Sequence, residues 1–163
     1  MRIERVVADA SPLIILFKSN LAGLLPQLFS EIIVPTPVQR EVMAGSPGDP
    51  SVTGLTAARW VTFEQELPIP PLIAAWDLGV GESSVLAHAL ELQDTRVLLD
   101  DRSGRNCAKA LNIRCLGTLS VILLAKRRRL IDAVAPAIAQ ISAAGCWLGD
   151  DVIQTVLAEA GEK

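Results

Sequence analysis

The sequence predicts a three-layer α/β/α sandwich with a mostly parallel central sheet, and three observations carry that expectation. Short Val-, Ile- and Leu-rich runs without polar alternation are spaced between segments of helical period, the pattern of strands buried on both faces. Half of the 163 residues are hydrophobic, yet only 4 % are aromatic and there is no tyrosine, so the core is built from Val, Ile, Leu and Ala. Finally, apolar runs end on acids that lead straight into helix-forming segments, as in Ile3–Ala8 before Asp9 and Arg96–Leu99 before Asp100 and Asp101. No repeat, linker or low-complexity tract interrupts the chain. Residues 1–163 therefore read as a single domain, long enough to bury a core without disulfides.

The elements follow in order. The first strand spans Ile3 to Ala8, and Ser11-Pro12 opens a helix with serine as cap and proline at the first helical position. Helix resumes over Leu21 to Phe29, broken or restarted at Pro26, and Ile32-Ile33-Val34 is a short buried strand. Thr36-Pro37 repeats the cap-then-proline signal for a helix through Met43, with Glu41 in its first two turns. Gly45 to Pro50 is a loop, followed by a short helix over Val52 to Ala58 and a strand at Trp60 to Phe63. Pro68-Ile69-Pro70-Pro71 reads as a connector rather than helix or central strand. A helix runs from Glu82 to Leu92, with Val85, Leu86, Ala89 and Leu92 on one face. A strand at Val97 to Leu99, a helix from Gly104 to Leu111 and a strand at Ile113 to Leu116 come next. Helices over Leu119 to Arg129, Ile131 to Ala143 (stopped by Gly145) and Asp151 to Ala160 complete the chain.

Composition excludes several classes. Cys107, Cys115 and Cys146 are odd in number and far apart, and His88 is the lone histidine, which argues against a structural zinc site. They read as buried reduced thiols, and His88 as a structural or surface residue. No run approaches the ~20 apolar residues of a membrane span, and Met1-Arg2-Ile3-Glu4-Arg5 enters a strand without a leader pattern, so a cytoplasmic location with no membrane contact is expected. The net charge is −3, yet Arg96, Arg102, Arg105, Lys109, Arg114, Lys126, Arg127, Arg128 and Arg129 crowd one segment against only Asp100 and Asp101. Such a basic half can hold a polyanion, and Lys126 to Arg129 can equally complement a helix dipole.

The acids carry the chemistry. In an open parallel sheet the carboxyl ends of the strands form the ligand crevice. Asp9 follows the first strand, Glu41 lies on the helix after the second, Glu82 opens the helix before the Val97 strand, and Asp100 and Asp101 follow that strand. Each alone can be a cap or a solvated acid. Together they repel unless a cation lies between them, which points to a hard divalent metal, Mg2+ or Mn2+, and to hydrolysis of a phosphodiester.

Val7-Ala8-Asp9-Ala10-Ser11-Pro12-Leu13, Val34-Pro35-x-x-Val38-x-x-Glu41-Val42, Gly79-x-Gly81-Glu82, Leu98-Leu99-Asp100-Asp101-Arg102-x-Gly104-Arg105 and Gly117-Thr118-Leu119 resemble, in order and spacing, the PIN-domain nucleases. The likeness is greatest to a prokaryotic, VapC-like branch with an Asp-Asp-Arg-x-Gly-Arg motif, and it runs from the first strand to about residue 150. The resemblance implies a metal-dependent endoribonuclease acting on single-stranded RNA. It places the family's acids on Asp9, Glu41, Glu82 and either Asp100 or Asp101, with Asp9, Glu82, Asp100 and Asp101 as metal ligands. It also implies a homodimer held in check by an antitoxin protein. Val80 stands where that branch has a further glutamate. Ser11 and Thr118 are candidates to hold a phosphate or a metal-bound water. Arg102 and Arg105 either clamp the phosphate or pair with Asp100 and Asp101.

Two other classes compete. A response-receiver domain needs its acidic pair after the first strand, whereas here the pair comes late. A PIN-like binding module with little or no catalysis fits the scarcity of aromatics for stacking bases.

Overall fold

The computed structural model describes residues 3–163, and Met1 and Arg2, the start of the expected direct entry into the first strand, lie outside the described residues. Among these residues five strands form one all-parallel sheet: β1 (Ile3–Ala8), β2 (Phe29–Pro35), β3 (Val61–Glu64), β4 (Thr95–Leu98) and β5 (Arg114–Leu116), in the order β3-β2-β1-β4-β5. The sheet is thus wholly parallel, not merely mostly so. Toward their carboxyl ends the central strands are apolar on both faces, as burial between two helical layers requires. Val6, Val7, Ala8, Val97 and Leu98 have no solvent exposure.

Among the described residues ten helices connect and cover the strands: α1 (Ala10–Lys18), α2 (Leu25–Leu28), α3 (Thr36–Met43), α4 (Pro50–Ala57), α5 (Pro71–Ala74), α6 (Val80–Glu91), α7 (Arg102–Ala110), α8 (Thr118–Arg127), α9 (Val134–Ala143) and α10 (Asp150–Glu159). A 3₁₀ turn at Ala22–Leu24 leads into α2. One layer gathers α6 with α5 and α7, the other gathers α1 with α4, α8 and α9, and α3 touches both α1 and α6. Together they make the three-layer sandwich.

The helix starts differ from the sequence expectation in three places. α1 starts one residue earlier than Ser11, so Asp9 takes the N-cap position and Ser11 the second helical one, exposed and not capping. Pro12 is then third, still within the turn whose N–H groups lack helical partners. Pro71 is not connector but the first residue of the single-turn α5, where a missing N–H is harmless. Thr36 is likewise not the cap of α3 but its first residue, with Pro35 at the N-cap position and the Thr36 hydroxyl donating to Glu64 O at 3.0 Å. Elsewhere the boundaries shift by one to three residues, the largest shifts being the earlier start of β2 at Phe29 and the later start of α9 at Val134. α9 ends as expected, with Gly145 just past it at φ +100, a conformation open to glycine. α8 closes the same way with a less suited residue, Arg129 at φ 60, and Leu130 N–H bonding back to Ala125 O at 2.9 Å.

His88 is buried and its Nε2 lies 3.0 Å from Gln65 O, so it ties α6 to the segment after β3, in keeping with a structural role. Beneath that end of α6 is a pocket of about 520 Å3 whose lining includes Arg5, Glu31, Glu64, His88 and Glu91. The three cysteines are free, and Cys107 is fully buried.

α1 packs on α4 through a contact that only glycine allows. Phe17 stacks on Trp60 with ring centroids 6.0 Å apart, and a Cβ on Gly54 would collide with the Phe17 ring. Gly54→Ala gains about 1 kcal/mol of helix propensity but displaces a ring already held on its other side. The expected outcome is a net loss of about 1–2 kcal/mol in urea unfolding, and a more stable variant would contradict the packing.

Candidate active site

The strand order reverses between β1 and β4. After β1 the chain adds β2 and β3 on one side and then returns to place β4 on the other. Loops diverge at such a switch point and open a crevice at the carboxyl ends of the strands. Asp9 leaves β1 there, its N–H bonded to Leu98 O at 3.0 Å, and Asp100 and Asp101 leave β4 beside it.

The crevice holds about 330 Å3 and is lined by Asp9, Ser11, Pro37, Arg40, Glu41, Gly79, Val80, Gly81 and Glu82. Three elements supply its acids. Asp9 occupies the N-cap position of α1 without a side-chain cap bond, Glu41 projects from α3, and Glu82 lies in the first turn of α6. Gly81 sets how closely they approach. A Cβ on that glycine would sit 3.0 Å from Glu41 Oε2 and 3.2 Å from Asp9 Oδ1, so these two oxygens face the same point. Likewise a Cβ on Gly104, in the first turn of α7, would sit 3.4 Å from Glu82 Oε2.

Asp9 is only 4 % exposed, and its Oδ1 is buried without a hydrogen-bond partner. Burial pushes its carboxyl up to about 7; the Ala10 N–H opposes this, while the charges of Glu82, Glu41 and Asp100 add to it. Glu82 is raised too, first by burial and then by Asp101 and Glu41. A buried, orphaned carboxylate oxygen pointing at other acids is a donor set suited to a hard cation.

Asp100 and Asp101 are held differently. Asp100 accepts two bonds from the start of α8, Thr118 N–H to Oδ1 at 2.8 Å and Thr118 Oγ1–H to Oδ2 at 2.6 Å. Asp101 caps α7, its Oδ2 accepting Gly104 N–H at 3.1 Å. Thr118 thus serves as the support of Asp100. Arg105 is folded back, its Nη1 donating to Leu99 O at 3.3 Å, and neither Arg105 nor Arg102 forms an ion pair among the described residues. Arg40 was missed by the sequence reading. Its only signal is the spacing of Pro37, Arg40 and Glu41 on one face of α3.

As they stand, no three His, Cys, Asp or Glu side chains among the described residues are gathered tightly enough to hold a metal ion. Asp9 and Glu41 meet at Gly81, while Glu82 lies at Gly104.

The raised Asp9 carboxyl makes stability depend on pH. Its folded value of about 7 exceeds the unfolded 3.8, so the folded state binds the proton more tightly. Its contribution is complete below about pH 4 and is lost as pH rises through 7. In chelator, Asp9→Asn is expected to match wild type near pH 4 and to exceed its unfolding free energy above pH 7 by up to on the order of 4 kcal/mol. Parallel stability curves for the two proteins from pH 4 to 8 would refute the buried, charged Asp9.

No curated protein matches the chain. A family model described as a PIN domain matches residues 5–162, nearly its whole length, and agrees with the parallel sandwich. The chain belongs to the PIN-domain family.

Proposed function

We propose that this protein is a Mg2+- or Mn2+-dependent endoribonuclease that hydrolyses phosphodiester bonds of single-stranded RNA. The observation that carries the reading is the unpartnered Oδ1 of buried Asp9, facing Glu41 across Gly81 in a family whose fold is a nuclease fold. Asp9 and Glu82, with Asp100 and Asp101 at the other wall, would hold the metal, and Glu41 would bind directly or through water. A divalent cation there supplies a water of lowered pKa and neutralises charge on the phosphoryl group.

The chain's own residues do the rest. Thr118 fixes the Asp100 carboxylate against α8. Asp101 keeps one oxygen on the α7 cap and leaves the other free. Arg40 on the crevice wall, with Arg102 and Arg105 beyond the acidic pair, offers guanidinium groups to the phosphates, and Ser11 offers a hydroxyl at the mouth. His88 takes no part, since it is buried against Gln65. Among the described residues no helix is long and apolar enough to cross a membrane. A cytoplasmic protein of one domain, dimeric and checked by an antitoxin, completes this reading by kinship with the toxin branch.

A second reading has one observation behind it: among the described residues the acids form no closed three-carboxylate set. It makes the protein a PIN-like binding module with weak or no catalysis. Thermal melts with chelator, Mg2+ and Mn2+, together with RNA cleavage by pure protein, separate the two. The nuclease is expected to gain about 2.7 kcal/mol at metal near 100 times its Kd. Asp9→Asn is expected to lose that gain and more than about 100-fold of cleavage, beyond what loss of a mere supporting residue produces. A wild type that neither shifts nor cuts makes the binding module correct.

A further inference from the structure

A second charged cluster lies at the opposite edge of the sheet. Arg96 in β4 and Arg114 in β5 are register partners on adjacent parallel strands, so their side chains leave the same face side by side. Arg128 follows the end of α8. Burial, then the positive charges of Arg114 and Arg128, holds the Arg96 guanidinium below its usual range. Among the described residues none of the three makes an ion pair; Asp94 lines a small pocket with Arg114 without pairing to it.

Three arginines that face one another without an ion-paired carboxylate repel. A helix dipole accounts for Arg128, which sits at the carboxyl end of α8, but not for Arg96 and Arg114, which stand on strands. Guanidinium forks match phosphate oxygens bidentately, and a phosphate would relieve the repulsion. Asp100 follows Arg96 by four residues, two in β4 and two just past its end, about 13 Å at the rise of an extended chain. One extended nucleic-acid strand can therefore reach both.

We propose that Arg96, Arg114 and Arg128 form a phosphate-binding exosite that holds the RNA backbone away from the acidic crevice. It rests on the nuclease reading for the identity of the polyanion, while the arginine geometry stands without it.

Binding is measured by fluorescence anisotropy on the full chain in chelator, so that no cleavage is needed. The probes are a labelled tetranucleotide and a single strand several times longer. Wild type is expected to bind the longer RNA more tightly and with a steeper salt dependence. Arg114→Gln/Arg128→Gln is expected to lower that slope by about 1.4, two contacts at roughly 0.7 each, and to leave tetranucleotide binding unchanged. Its melting temperature should equal or exceed that of wild type, because repulsion is removed; a lower one would mark the arginines as structural and overturn the exosite. So would an unchanged slope, or a loss confined to polyglutamate or to vesicles of anionic lipid. Arginine-dependent binding of long RNA by a wild type that never cuts it, with metal restored, would keep the exosite and refute the nuclease.

Discussion

Parallel pairing of every strand is the constraint on which the molecule depends. Because β1 to β5 all run the same way, all their carboxyl ends lie at one edge, and the helices that follow them begin there. Helix N-termini carry unpaired N–H groups and partial positive charge. Acids that would otherwise repel are thereby given partners where the chain turns. Asp101 caps α7, Asp100 binds the first N–H of α8, and Glu82 lies in the first turn of α6. At the β4–β5 side of the other edge, where strands begin and α8 ends, arginines gather instead.

The strain of the acidic edge is shared unequally. Crowded carboxylates imply repulsion throughout the set, and replacement of Asp100 or Asp101 is the simplest expectation for relieving it. The structure locates the strain elsewhere. Asp100 and Asp101 are satisfied by backbone and hydroxyl donors, whereas Asp9 is buried, carries an orphaned oxygen and has its carboxyl raised to about 7. The least comfortable acid is also the most central, since β1 sits between β2 and β4. Discomfort of that kind is what a cation relieves.

The layered fold and the acids' strand-end positions were legible in the sequence for one physical reason: buried parallel strands need uninterrupted apolar runs, and Val6 to Ala8 and Val97 to Leu99 have no other plausible use. Caps were less legible. Ser11-Pro12 and Asp9 compete for one helix start, and which residue leaves the helix depends on where β1 hands over to α1. The partnership of Thr118 with Asp100 was hidden because it spans 18 residues and two elements. Arg40 was hidden because one arginine on a helix surface looks like any other. The unpaired arginines appeared only once register set Arg96 beside Arg114; the sequence showed a basic segment without showing which members meet.

The adjacency of β1 and β4 also has a temporal meaning. Arg5 pairs with Thr95, so the two walls of the crevice come from chain segments some ninety residues apart. Closing so long a loop before it is rewarded by contacts is slow, and pairing of this range is among the later events of folding. A chain folded only through β3 presents Asp9 and Glu41 but has no second wall, because Glu82, Asp100 and Asp101 arrive with α6 and β4. Whatever chemistry the acids support is therefore withheld from the nascent chain and from its partly folded forms. The crevice is completed by the same docking of β4 that completes the sheet's centre, so the gathered acids and a finished fold come into being together.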